Sequence, residues 1–228
     1  MLGSIDCMHW QWRNCPVAHA RQFTRGDIKH PTVILEVVAS YGHWIWHTFF
    51  GVAGANNDVN VLNQSPLFND VVDGYAPSVE FKVNNHTYDK GYYLADGIYP
   101  NWPVFMKGVA APQTDPERRF TERQASLRKD VECSFGLLKS RFHILSVPGR
   151  SYTVETLSLI MRTCIILHNM IIEDERDRDL DDDYETVEAV VGPPVNQGPP
   201  PPLAARLVTD REIICSHTYR QLQEDFVA

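Results

Sequence analysis

Three carboxylates stand among apolar residues in this sequence. Asp6 interrupts an apolar stretch, Asp96 ends the apolar run Tyr92–Ala95, and Glu132 follows Val131 in a helical pattern. A buried charge is costly unless it is paired or bound to metal. Hard carboxylate oxygens are the ligands of Mg²⁺ and Mn²⁺, and two such ions about 3.5–4 Å apart can activate water against a phosphodiester. Composition alone nevertheless favours a cap, turn or surface role for one or more of these acids.

The elements that position these acids follow from the spacing of apolar residues. Apolar, β-branched-rich runs predict four strands, at 2–12, 31–40, 44–54 and 91–100. Apolar residues three to four apart predict two long helices, at 118–142 and 153–174. The first of these has a buried stripe of Phe120, Leu127, Val131, Phe135 and Leu138. This order of elements is typical of a mixed α/β domain.

The net charge of −8 is unevenly distributed along the 228 residues. Residues 1–172 carry 16 basic and 15 acidic side chains, whereas 173–228 carry 5 and 14. The acidity therefore belongs to the C-terminal region, and it does not exclude nucleic acid as a ligand of the body. The sequence contains no uninterrupted run of about 18 apolar residues, so we expect no membrane span.

The C-terminal region divides into two parts by composition. An acidic run at 173–185 and a Pro/Gly-rich run at 192–202 predict a disordered or extended linker, because neither can bury enough apolar surface. The expected organisation is a catalytic domain at 1–175, a linker at 176–202 and a short helical segment at 203–228. The five cysteines contain no C-x-x-C pair, which argues against a zinc ribbon.

Several sequence blocks, taken in order, resemble the PIF/Harbinger superfamily of DDE transposases and the nucleases derived from it. The resemblance covers about residues 1–175. The matching blocks are SIDCMHW (4–10), GVAGANNDVNVLNQSPLF (51–68), YYLADGIYPNWPVFMK (92–107), RKDVECSFGLLKSRFHIL (128–145) and LHNMIIED (167–174). Thirty-five residues separate Asp96 from Glu132, as the family's D-x35-E pattern requires. In the first block, Cys7-Met8 replaces the family's smaller Gly-Thr.

The resemblance implies an RNase H-like fold, in which a mixed sheet is flanked by helices. It assigns Asp6, Asp96 and Glu132 as catalytic ligands of Mg²⁺ or Mn²⁺ in a two-metal site. The implied activity is a metal-dependent DNA endonuclease, with strand transfer as a further step. Asp58 is either an auxiliary metal ligand or a helix N-cap, and we favour the cap. His9 lies an odd number of residues from Asp6, so it belongs on the opposite strand face.

A basic helix face surrounds the third acid. Arg128, Glu132 and Lys139 repeat the Arg-x3-Glu-x6-Lys signature of related insertion-sequence transposases, and all three fall on one helix face at 3.6 residues per turn. Residues 118–150 carry eight basic and three acidic side chains. We therefore expect Arg128, Lys139 and Arg141 to contact DNA phosphate. A solvated, salt-bridged face remains the alternative.

The position of Asp6 so near the first residue leads us to expect a truncated or domesticated copy. Members of the superfamily carry an N-terminal DNA-recognition region, and a Myb-like partner could supply both DNA binding and entry to the nucleus. An oligomer is compatible with the resemblance. A catalytically silent nuclear adaptor, acting in protein interaction or at chromatin, is the alternative function.

Overall fold

The computed structural model describes residues 1–176, 190–194, 196 and 198–228. The strands, in chain order, are β1 (Gly3–Gln11), β2 (Thr32–Ala39), β3 (Ile45–Ala53), β4 (Pro77–Val83), β5 (His86–Tyr88), β6 (Tyr93–Leu94), β7 (Phe105–Met106) and β8 (Val190–Pro194). The helices are α1 (Val17–Phe23), α2 (Asp58–Leu62), α3 (Asn69–Val72), α4 (Asp115–Arg141), α5 (Val154–Arg176), α6 (Leu203–Ile213) and α7 (Ser216–Val227). The predicted α/β class is confirmed. Most of the predicted acidic run lies outside the described residues.

The chain forms two compact units, which are described separately. The sheet unit comprises residues 4–65 and the described residues of 128–182. The hairpin unit comprises residues 1–3, 66–127 and the described residues of 183–228. This division differs from the predicted boundaries, because residues 203–228 belong to the same unit as residues 66–127.

The sheet unit contains the antiparallel strands β1, β2 and β3, with β2 in the middle. All eight residues of β2 are buried, which explains its continuous run of β-branched and apolar side chains. One sheet face packs against α4 and α5, and its core includes Met8, Trp10, Leu35, Val37, Val131, Phe135, Leu138, Leu157 and Met161. The opposite face is covered through Val61 of α2, which packs with Ile34 and Val52.

Two tryptophans of the first-strand region hold the segment that follows α4. The indole of Trp10 donates to the carbonyl of Val147 at 2.9 Å, and that of Trp12 donates to the carbonyl of Ser151 at 2.7 Å. Buried indole N–H groups need such partners. These bonds fasten the segment that follows α4 to β1 and to the residue just beyond it.

Helix α5 is long and largely apolar. Among the described residues, Val154–Glu175 is the one helical stretch whose length and composition would suit a membrane span. The sequence has no uninterrupted apolar run here, because a few polar residues interrupt a stretch of high mean hydropathy. Core helices of soluble proteins share these properties, and Leu157 and Met161 of α5 pack in the core of the sheet unit.

The hairpin unit contains the antiparallel pair β4–β5 and the parallel pair β6–β7. Asn84 and Asn85 join β4 to β5 at positive φ values of 44° and 69°, which suits a tight hairpin turn. Strand β8 pairs with β4, so residues 190–194, which fall in the linker predicted to be disordered or extended, form an extended strand. The predicted strand at 91–100 is reduced to the two residues of β6.

Helix α7 completes the core of the hairpin unit. Its Leu222 is buried with Leu94 of β6 and Met106 of β7, and Phe226 packs against Tyr92 with ring centroids 5.2 Å apart. Asp225 accepts hydrogen bonds from the Tyr88 hydroxyl and from the His86 ring. The C-terminal helices are therefore part of the unit that carries Asp96.

Candidate active site

Asp6 lies on β1 with its side chain on the face that packs against α4. It pairs with Val37 across the strands and shares its face with Met8, which is buried in the core. The bulky Met8 thus fills the core beside Asp6. One oxygen of Asp6, Oδ1, accepts a hydrogen bond from the Cys7 amide at 2.8 Å, and the side chain is 19% exposed.

Arg128 of α4 joins two of the predicted catalytic acids. Its Nη1 lies 3.5 Å from Oδ2 of Asp6, and its Nη2 lies 3.0 Å from Oε1 of Glu132. Arg128 and Glu132 are four residues apart on one helix, the spacing at which side chains meet. The structure therefore brings Asp6 and Glu132 to opposite ends of one guanidinium.

Burial is the main influence on the charge of Asp6. It raises the pKa of this carboxyl to about 6, against the opposing effects of the Cys7 amide and of Arg128. The carboxylates of Asp58 and Glu132 raise the pKa of Asp6 further by repulsion. Asp6 is thus under-compensated by positive charge, and additional cationic charge would stabilise its ionised form.

Asp58 is the first residue of α2 rather than its N-cap. The cap is Asn57, whose side-chain oxygen accepts from the Asn60 amide at 2.9 Å, so our preference for Asp58 as the cap was wrong. The charge of Asp58 influences the pKa of Asp6 and that of Arg25. Asp58 therefore belongs to the electrostatic surroundings of Asp6, and its role as an auxiliary ligand stays a prediction.

Asp96 lies in the hairpin unit, where it directly follows the buried residues Leu94 and Ala95 and is itself exposed. Its Oδ1 accepts a hydrogen bond from the Gly97 amide. The buried side-chain amide of Gln124 in α4 donates to the carbonyl of Ala95 at 3.0 Å and also to that of Met106. Gln124 thus fixes the backbone immediately before Asp96.

Lys107 supports the loop that follows Asp96. Its ammonium donates to the carbonyl of Tyr99 at 2.7 Å and to that of Gly97 at 3.4 Å. Burial lowers the pKa of Lys107, and the charge of Asp96 partly offsets this. Helix α7 reaches the same lysine, because the ammonium lies 5.7 Å from the ring centroid of Tyr219 and the Lys107 carbonyl accepts from Gln223.

The two other predicted DNA contacts differ in their surroundings. Lys139 is half-buried near the end of α4, and its carbonyl accepts from the Ser146 hydroxyl. Arg141 pairs with Glu175 and donates to Nδ1 of the buried His168 at 3.3 Å. Arg141 therefore has an intramolecular role between α4 and α5, and DNA contact by Arg141 and Lys139 stays a prediction.

The predicted triad is only partly assembled within one unit. Asp6 and Glu132 meet at Arg128 in the sheet unit, whereas Asp96 belongs to the hairpin unit. Across the described parts of the chain, no group of three or more His, Cys, Asp and Glu side chains could hold a metal ion. The donors that do meet, Asp6 and Glu132, are hard carboxylate oxygens of the type that Mg²⁺ and Mn²⁺ prefer, with Arg128 between them.

The structure also contains a buried acid that the motif analysis missed. Glu36, in the centre of β2, accepts from the Ser65 hydroxyl and lies 3.3 Å from Nε2 of His47. Its second oxygen, Oε2, has no hydrogen-bond partner among the described residues. His47 contacts both partners through the same nitrogen, which is not the arrangement of a Ser-His-Glu triad. The sequence feature that could have identified Glu36 is its position as the single acid in the apolar run VILEVVA.

Three further histidines, His9, His43 and His168, have structural contacts. The His9 ring bonds the Thr32 hydroxyl at 2.8 Å, on the opposite side of β1 from Asp6. His43 lies 3.3 Å from the Ser134 hydroxyl, and His168 donates from Nε2 to the His43 carbonyl at 2.9 Å.

Comparisons with known proteins support the sequence blocks. Residues 1–179 match the family described as "Plant transposon protein". The chain is 25% identical over 186 residues to a "Protein ALP1-like" of Arabidopsis thaliana, covering 79% of this chain and 45% of that protein. It is 26% identical over 175 residues to a "Putative nuclease HARBI1" of Bos taurus, covering 76% and 46%. The chain thus spans about half the length of these relatives. No solved structure matches it.

Proposed function

Because this chain belongs to the plant transposon protein family, we propose that it is a divalent-metal-dependent DNA endonuclease with an RNase H-like arrangement of its catalytic acids. The observation that carries the proposal is the meeting of Asp6 and Glu132 at one guanidinium, from elements far apart in sequence. The name of the Bos taurus relative agrees with this activity. DNA is the proposed substrate, and a nuclear location with a Myb-like partner belongs to the same proposal.

The residues of this chain have distinct tasks in the proposed reaction. Asp6, Asp96 and Glu132 would hold Mg²⁺ or Mn²⁺ through carboxylate oxygens. The bound cation would make water a stronger nucleophile and stabilise the leaving oxygen of the phosphodiester. Arg128 and Lys139 present positive charge to the backbone phosphate of DNA. Gln124 and Lys107 hold the backbone on either side of Asp96.

A plasmid-nicking assay tests the proposal directly. The full chain is incubated with supercoiled DNA and Mn²⁺ or Mg²⁺, and EDTA is the blank. We expect Asp6→Asn, Asp96→Asn and Glu132→Gln each to reduce nicking by about 100-fold or more, because each removes a ligand charge. Glu122→Gln is the matched control, since Glu122 is exposed on the same helix as Glu132.

Two results would count against the proposal. Nicking that survives in all three variants would come from other residues or from a contaminant. A folded wild-type chain without any metal-dependent nicking would favour the nuclear adaptor, the alternative derived from the sequence.

A further inference from the structure

Arg128 occupies the position between the two acids of the sheet unit. Its guanidinium is 3.5 Å from Asp6 and 3.0 Å from Glu132, and its own side chain is 22% exposed. Glu132 is more open, with 48% of its side chain exposed. The two ion pairs share one cation, so both acids lose compensation if Arg128 moves away.

A guanidinium and a divalent metal ion compete when both bind the same pair of carboxylates. Arginine keeps its positive charge at all accessible pH values, so it cannot make room by losing a proton. Two cations near the same pair of carboxylates repel each other, and this repulsion is strong where the acid is partly desolvated. Arg128 and a metal ion therefore cannot both use Asp6 and Glu132 at full strength.

We propose that Arg128 is the resident counter-ion of the metal-free site, and that a divalent metal ion and Arg128 compete for Asp6 and Glu132. This inference rests on the proposed function and deepens it. Metal binding releases the Arg128 side chain, whose position on α4 leaves it partly accessible to solvent. The released guanidinium is then free to bind a phosphate of DNA, so metal loading and DNA binding are coupled through one residue.

The competition and an ordinary supporting role predict opposite changes in metal affinity when Arg128 is removed. If Arg128 merely positioned the acids, its removal would loosen the site and weaken metal binding. If Arg128 competes, its removal leaves two uncompensated carboxylates and strengthens metal binding, while DNA binding weakens. When one ligand changes the affinity of a protein for another, the change is commonly about 5- to 150-fold, and the effect is reciprocal.

Calorimetric titration of the full chain with Mn²⁺, in the absence of DNA, measures this sign. We expect Arg128→Gln to bind Mn²⁺ about 10-fold more tightly than the wild type. Arg123→Gln, which removes the same charge from an exposed position on α4, should stay within about 2-fold. Arg128→Lys keeps the charge and should bind Mn²⁺ more weakly than Arg128→Gln. Circular dichroism and urea unfolding of each variant establish that it is folded.

The outcomes separate this inference from the function beneath it. Unchanged or weaker Mn²⁺ binding by folded Arg128→Gln, alongside a wild type that binds through Asp6 and Glu132, overturns the competition and leaves the nuclease intact. If Arg128→Gln does not fold, Arg128→Met takes its place, and a folded Arg128→Met that binds Mn²⁺ no more tightly than the wild type overturns the competition. If no folded variant binds Mn²⁺, both the competition and the metal-dependent nuclease are wrong.

Discussion

Nη1 of Arg128 lies 3.5 Å from Oδ2 of Asp6, although 122 positions separate the two residues along the chain. The contact exists because the second half of α4 packs on the face of β1–β3 that carries the Asp6 side chain. Strand β1 thus positions Asp6, and one turn of α4 positions Arg128 and Glu132. The contacts among Asp6, Arg128 and Glu132 lie within the sheet unit, whereas Asp96 belongs to the hairpin unit.

The ionisation of Asp6 should reduce the stability of the metal-free protein. Its pKa is about 6 when folded and about 3.8 when exposed, so the folded state binds the extra proton between these values. Stability therefore falls as the pH rises through this window, and the loss is complete above pH 6. We expect Asp6→Asn to raise the free energy of unfolding by about 2 kcal/mol at pH 7.5, with little difference below pH 4.

Urea unfolding of the wild type and Asp6→Asn across this pH range measures the effect. The exposed Glu122→Gln provides the reference for a carboxylate outside the site. An Asp6→Asn variant that is less stable than the wild type at pH 7.5 would show that Arg128 and the Cys7 amide outweigh the burial of the acid.

His168 should make the protein sensitive to acid. Burial lowers the pKa of its ring, which donates to the His43 carbonyl and accepts from Arg141, so the folded state holds it neutral. The stabilisation is present above the unfolded pKa of about 6.5 and is lost as the pH falls below that value. His168→Gln keeps one donor and one acceptor without a titrating ring.

The test compares the free energy of unfolding of the two proteins from pH 8 to pH 5. The advantage of the wild type over His168→Gln should shrink as the pH falls, whereas a variant of the exposed His217 should follow the wild type. A constant difference between wild type and His168→Gln would mean that this ring titrates normally.

The C-terminal helices should contribute to the stability of the hairpin unit. Leu222 is 1% exposed among Leu94 and Met106, so Leu222→Ala should cost about 2–5 kcal/mol, the usual effect of truncating a buried leucine. Leu207 of α6 is 49% exposed, and Leu207→Ala should cost less than about 0.5 kcal/mol. Urea unfolding of the full chain measures both. Equal, small effects would show that α7 does not pack as described.

Long elements with a regular apolar period were predictable from the sequence. Strands β1, β2 and β3 and helices α4 and α5 lie within a few residues of their predicted limits, because each buries a continuous stripe or face. The length of β6 was overestimated, because apolar residues of the run at 91–100 are buried in part against helices α4 and α7 and do not all pair in a strand. Strand β8 was missed because a Pro-rich composition says nothing about pairing with β4.

The site was predictable where a motif and a fixed helical spacing coincided. Glu132 and Arg128 meet as their four-residue separation requires, and Asp6 meets them through strand packing that the family resemblance implied. The position of Asn57 as the cap could not be chosen over Asp58, because neighbouring capping residues have similar preferences. Gln124 was not recognisable, since its role depends on carbonyls that are distant in sequence.

The central proposal is that Asp6, Asp96 and Glu132 together hold divalent metal in one catalytic site, and localised cleavage by Fe²⁺ tests it most directly. Fe²⁺ replaces Mg²⁺ at carboxylate sites, and with ascorbate and hydrogen peroxide it produces hydroxyl radicals that cut nearby backbone. We predict cuts close to residues 6, 96 and 132, all suppressed by excess Mg²⁺, with fragments identified by mass spectrometry. Cuts near Asp6 and Glu132 without any near Asp96, or no Mg²⁺-sensitive cuts, would contradict the claim.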